Sequence, residues 1–149
     1  MQAALHERST GSANASLRLI ELPRPEPHAD EVRVRLCWSG VNPGDVQGGC
    51  DEHVHLPALA GIEPHHDGAG VIDAIGAGVS PQRLGDRVWI WNAAWRRAWG
   101  TAAQWVALPS AQAVALPDDV VVIETQGEAS GAAAGEDRHR PPRNLAFTI

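Results

Sequence analysis

The chain has 149 residues, 44% of them hydrophobic and 20% charged, with a formal net charge of -6 and two cysteines. That length suits one soluble globular domain with its own core, and an acidic balance without a basic stripe argues against nucleic acid or an anionic membrane as partner. No apolar run reaches the roughly 20 residues of a membrane span, the first residues lack a signal-peptide pattern, and Cys37 and Cys50 make no disulfide framework, so a cytoplasmic setting is expected.

Leu17 to Leu22 ("LRLIEL") is the first strand candidate. "PRPEPHAD" follows, and its three prolines exclude a central strand and predict an extended loop. Glu31 to Trp38 ("EVRVRLCW") alternates with a period of two: Val32, Val34, Leu36 and Trp38 on one face, Arg33 and Arg35 on the other. Ser39 to Asp45 ("SGVNPGD") is turn chemistry, with Asp45 placed to cap a short helix. Val71 to Ile75, Val88 to Trp91, Thr101 to Leu108 and Ala113 to Leu116 continue the series of short strands. With turns between them and no long amphipathic helix, they predict an all-β barrel or sandwich.

The composition changes after Pro117-Asp118-Asp119. Glu124 to Arg143 is rich in Gly and Ala, then charged, with no periodicity that buries a face. Two segments are therefore expected: residues 1–120 as the folded domain, and 121–149 as a divergent, poorly ordered tail. All twelve basic residues are Arg and Tyr is missing, the mark of GC-rich coding DNA, so a tail translated out of frame, or spanning a deletion, is a natural expectation.

The run "HHDGAGVIDAIGAGV", His65 to Val79, crowds in four glycines and raises the question of a phosphate cradle. A dinucleotide fingerprint needs G-x-G-x-x-G after a strand and opening a helix. Here "VIDAI" between the glycine pairs is β-like, and the following "SPQRLGDR" is too short for that helix. The glycines are expected to be scaffolding, easing close backbone packing.

A metal is the other question, because Cys50, His53, His55, His65, His66 and Asp67 crowd together and zinc takes such ligands. Solvated loop histidines explain the same cluster. Trp38 and Trp105 are expected in the core. Trp91, Trp95 and Trp99 suit ordinary packing, a partner-facing loop or an aromatic wall for a planar ring. Cys37, inside a strand, is expected to be inert.

The segments "LIELPRPEPHADEVRVRL", "SGVNPGD", "PHHDGAGVIDAIGAGV", "LGDRVW" and "GTAAQWVALPSAQAVALPDDV" stand in the order found in medium-chain dehydrogenase/reductases. Residues 1 to about 120 resemble the zinc-independent NADPH:quinone oxidoreductase (zeta-crystallin-like) branch. The resemblance implies a mainly β GroES-like catalytic domain, a partly open β-barrel. It also implies hydride transfer from NADPH to a quinone or enone. The family's Rossmann domain, which carries most of the NADPH site, has no counterpart in this sequence, so this chain alone is expected to bind NADPH negligibly and to be inactive. By the same resemblance Asn42 and Asp45 are the catalytic candidates, facing substrate and nicotinamide, and His66 is a further contact. Zinc-dependent relatives place a cysteine where this chain has Asn42, and a histidine at His66. One surviving ligand is short of the roughly three that a catalytic zinc needs, so no metal is expected. Asn42 to Asp45 is equally well explained as a good turn. Two competing functions remain open: a non-catalytic binding module built on a free barrel, and a zinc protein using the histidine cluster.

Overall fold

The computed structural model describes residues 1–7, 17–42, 45, 61–62, 64–95, 97–120 and 145–148. Nine strands, with two short 3-10 turns at Pro81–Arg83 and Ser110–Gln112, make up the regular structure of these residues. They are β1 (Gln2–Glu7), β2 (Leu17–Glu21), β3 (Glu31–Val41), β4 (Gly61–Ile62), β5 (Asp67–Ile75), β6 (Arg87–Ile90), β7 (Trp105–Pro109), β8 (Ala113–Ala115) and β9 (Leu145–Thr148). The domain is mainly β, as the turn-punctuated sequence predicts.

A small sheet runs β2-β1-β4, and a larger one runs β7-β3-β5-β6-β8 with β9 also paired to β3. The two sheets do not close into one ring. They are stitched where β1 meets the segment before β7, through an Ala3–Ala103 bridge and the bond from Ala4 N to Ala102 O (2.7 Å). This is a partly open barrel of the GroES-like kind.

The core lies under β3. Val32, Val34 and Leu36 meet Ile72 of β5, Val88 and Ile90 of β6, and Val106 and Leu108 of β7. The β-branched residues among them suit a pleated, buried surface, and their alternation places them on one side. The neighbouring loop of Pro23, Pro25 and Pro27 stays outside the sheets, because proline cannot donate to a ladder.

Two bulges break the simple alternation. Between the pairs Arg33–Ala74 and Val34–Ile72, β5 carries Asp73 as an extra residue. Between Leu36–Gly70 and Trp38–Ala69, β3 carries Cys37 as an extra residue. A bulge re-aims the side chains after it. The buried set therefore switches from Leu36 to Ser39, and Trp38, expected in the core, is only half-buried. Cys37, within β3, is exposed to solvent. Trp105 is likewise half-buried, its Nε1 donating to Asp73 (2.8 Å).

Arg33 does take the face opposite Val32 and Val34, yet it is only 9% exposed. The proline loop covers it: its Nη1 donates to Pro25 O and pairs with Glu26, both at 3.2 Å, while its Nε donates to Asp73 at 2.8 Å. Leu145–Thr148 pairs with Trp38–Val41. Residues 121–144 lie outside the described residues.

The glycine run is scaffolding. A Cβ on Gly70 would overlap the Arg35 carbonyl oxygen and sit 2.9 Å from Val34 Cγ1. The Gly76 and Gly78 amides donate to Glu31 O (2.8 Å) and Ala29 O (2.7 Å). Backbone donors so engaged have none to offer a phosphate. Among the described residues no helix is long and apolar enough to cross a membrane.

Candidate functional site

The C-terminal end of β3 and the N-terminal end of β5 lie side by side, with Gly40 opposite Asp67. That register brings Asn42, two residues beyond Gly40, to the Asp67 side chain. Asn42 Nδ2 donates to Asp67 Oδ2 at 2.8 Å. The remaining amide N–H and Oδ1 of Asn42 have no partner among the described residues, and both can meet a ligand.

Asp45 sits in the same cluster with a different task. Its Oδ2 accepts from Asn42 N (2.7 Å) and its Oδ1 from His65 N (3.1 Å), while Asp45 N donates back to Asn42 O (3.0 Å). This is the reciprocal half of a capping box, with Asn42 at the N-cap and Asp45 three residues on. Asp45, expected to cap a short helix, holds two backbone amides. Asp67, not Asp45, fixes the Asn42 amide.

The His65 amide is a demanding one to hold, because His65 has a φ of 74°, in the left-handed region. Asp45→Ala frees both amides and removes charge-assisted bonds worth about 1.5–3 kcal/mol each before water compensates. A net loss of about 2 kcal/mol is expected from the urea midpoint, with Asp45→Asn recovering part of it. An unchanged midpoint would show that Asp45 does not hold this loop.

Behind the cluster runs a buried hydroxyl chain that the sequence did not advertise. Thr101 Oγ1 donates to Asp67 O at 2.6 Å, and Ser39 Oγ lies 3.0 Å from Thr101 Oγ1 and 2.7 Å from His65 Nδ1. Proton counting orders the chain. Thr101 has spent its one proton on the carbonyl, so Ser39 donates to Thr101, and the proton between Ser39 and His65 resides on Nδ1. Ser39 and Thr101 are 1% and 0% exposed. Ser39 reaches this place through the Cys37 bulge, and Thr101 through the bond from its N to His65 O (3.0 Å). Neither signal is local, although a hydroxyl within an apolar strand is a cue for a buried polar network.

His66 stands beside the pair. Its carbonyl accepts from Ala93 N (2.8 Å), and its Nδ1 is buried without a hydrogen-bond partner. An orphaned imidazole nitrogen is a possible ligand atom, but zinc needs about three protein donors. No group of three candidate ligands occurs among the described residues, and the Asp67 carboxylate already holds Asn42. Cys50, His53 and His55 lie outside the described residues.

The alcohol dehydrogenase GroES-like domain model matches residues 28–118. The chain belongs to that family. The GroES-like domain matches 38% of residues, over 102 positions, in the rat synaptic vesicle membrane protein VAT-1 homolog; this spans 68% of the chain and 23% of that protein. The solved structure of an alcohol dehydrogenase superfamily protein from Novosphingobium aromaticivorans superposes with a TM-score of 0.67 at 30% identity, over 81% of the chain and 36% of its own. A mycobacterial protein complexed with NADPH superposes with a TM-score of 0.62 at 25% identity, over 81% and 35%. The chain thus spans about a quarter of its curated relative and about a third of each solved one. These relatives place the GroES-like domain among the medium-chain oxidoreductases.

Proposed function

We propose that this GroES-like domain is the acceptor-binding part of a zinc-independent, NADPH-dependent oxidoreductase that reduces a quinone or an enone. The observation that carries the reading is the Asn42–Asp67 pair. It holds an uncharged amide where zinc-dependent relatives present a thiolate. An amide so anchored offers its second N–H to an acceptor oxygen and needs no change of protonation state. His66 Nδ1, partnerless beside it, adds a second polar contact.

NADPH, when bound, supplies the hydride. The chain's residues do the rest: Asn42 orients the acceptor, Asp67 fixes Asn42, and Asp45 ties the Asn42 turn to the His65 backbone that leads into β5. The pyrophosphate has no cradle among the described residues, because the Gly76 and Gly78 amides are engaged, so a separate dinucleotide-binding domain must hold it. NADPH is therefore expected to leave the tryptophan fluorescence of this chain unchanged into the millimolar range. Saturable micromolar quenching would overturn that division of labour.

The acceptor test uses 9,10-phenanthrenequinone with isotope-labelled protein, read by NMR. The Asn42 side-chain amide signals are expected to shift saturably, and Asn42→Ala to abolish the response of its neighbours. A second reading, a non-catalytic binding module, is favoured by Trp89 and Val114, a cross-strand pair of β6 and β8 that stays exposed, with Trp91 two residues on. On that reading the quinone leaves Asn42 unmoved, so one experiment separates the two.

A further inference from the structure

A bay of about 350 Å³ opens at the other end of β3, between the proline loop, β7 and the segment that carries Arg97 and Trp99. Glu31, which opens β3, lines it. Asn42, Asp45, His66 and Asp67 are not among the residues that line it. Its size falls within the ordinary range for small-molecule pockets, roughly 300–1,000 Å³.

The walls are aromatic and apolar, with Trp99, Trp105, Leu22 and Pro23 among them. The charges are unevenly satisfied. Glu26 is paired with Arg33 at 3.2 Å, and Glu31 accepts from His28 N at 3.0 Å. The cations are not so matched. Arg24 lies over the Trp105 ring, 4.2 Å from its centroid, with no carboxylate partner among the described residues. Arg97 donates through Nη2 to Gln112, while its Nη1 is buried with no acceptor among the described residues. Burial pulls the Arg97 guanidinium below its ordinary value, and Glu31 opposes that pull only through space. A guanidinium cannot escape by losing its proton in a protein. A desolvated donor without an acceptor is a rare and expensive arrangement, and it marks a missing partner.

We propose that this bay binds a small aromatic carboxylate, its ring against Trp99 and Trp105 and its carboxylate on the Arg97 guanidinium. The carboxylate supplies the acceptor that Arg97 lacks once Nη1 turns toward the opening, in a charge-assisted bond stronger than a neutral one. The tryptophan faces supply the apolar contact, and Arg24 adds a second positive charge at the rim. Glu31 sets a limit: it disfavours dianions and leaves room for one negative charge.

Titration calorimetry with 2-naphthoate, and with 2-naphthalenemethanol as its uncharged counterpart, tests this on the chain as it exists. Saturable one-to-one binding of the naphthoate is expected, at least tenfold tighter than the alcohol. Arg97→Gln should weaken naphthoate at least tenfold and leave the alcohol unchanged, and Arg24→Gln should weaken it by a few-fold. The Trp99 and Trp105 indole NMR signals should shift while Asn42 does not. Equal binding of the two probes, no binding of naphthoate, or a response at Asn42 in place of Trp99 would each overturn the proposal. The comparison of the two probes on the unaltered protein decides the matter even if Arg97→Gln fails to fold.

Discussion

Gly76→Ala is expected to unfold the domain at physiological temperature or to lower its stability by about 3 kcal/mol or more, the upper end of overpacking effects. The added Cβ would overlap the His28 carbonyl oxygen and stand 2.6 Å from the Ala29 oxygen and 2.7 Å from the Ala29 carbon. All three are backbone atoms, which cannot swing aside as a side-chain tip can. The two segments are also tied together: Gly76 N donates to Glu31 O (2.8 Å) and Gly78 N to Ala29 O (2.7 Å). Opening the gap breaks these bonds and lifts the start of β3 off the end of β5, where Val32 faces Ile75. Thermal denaturation followed by circular dichroism measures the loss. Gly85→Ala is the control, since nothing lies within 4 Å of its added Cβ and only the φ of +89° opposes it, a strain of about 1–2 kcal/mol. If the two variants melt alike, close packing at Gly76 is not what the run of glycines serves.

Asp73→Ala is expected to cost about 3–5 kcal/mol, the range for stripping one partner from a buried ion pair. Asp73 is the bulged residue of β5 and serves two donors, Arg33 Nε through Oδ1 and Trp105 Nε1 through Oδ2, both at 2.8 Å. Its removal leaves the covered Arg33 guanidinium with Pro25 O and the largely exposed Glu26, and leaves the indole N–H without its acceptor. The penalty comes from the charge left behind more than from the bond lost. The pairing Arg33→Met with Asp73→Leu should therefore recover most of the stability that Asp73→Ala removes. Urea unfolding of the single and double variants gives the coupling. A single variant within about 0.5 kcal/mol of the unaltered domain would show that Arg33 is better hydrated than its 9% exposure indicates.

Six of the nine strands, β2, β3, β5, β6, β7 and β8, were legible in the sequence because each carries its own signal, whereas β1, β4 and β9 were not read as strands. The valines of β3, the three prolines after β2 and the turn residues around Gly76 act locally, through sterics and alternation. The strand ends were less accurate: β3 runs on to Val41 and β5 begins at Asp67, four residues earlier than Val71. Those extra residues read as turn and loop by composition, and pairing with each other makes them strands. The hydrogen-bond partners of Asp45, the Asn42 and His65 amides, were not legible, because a carboxylate's partners cannot be counted from its neighbours in the chain.

Sequence alone determined the class of fold, the family motifs that carry it, and the scaffolding role of the glycines, because each depends on residue type and short-range spacing. Tertiary structure decided the rest. Two bulges, each one residue long, turned Ser39 inward, Cys37 outward and Asp73 onto Arg33. A bulge depends on how two distant strands match in length and twist, and neither strand records the other's register. The Asn42–Asp67 pair and the bay around Arg97 arise in the same way, from residues 25 positions or more apart. Only the packing of those segments says which donors find acceptors and which are left waiting for one.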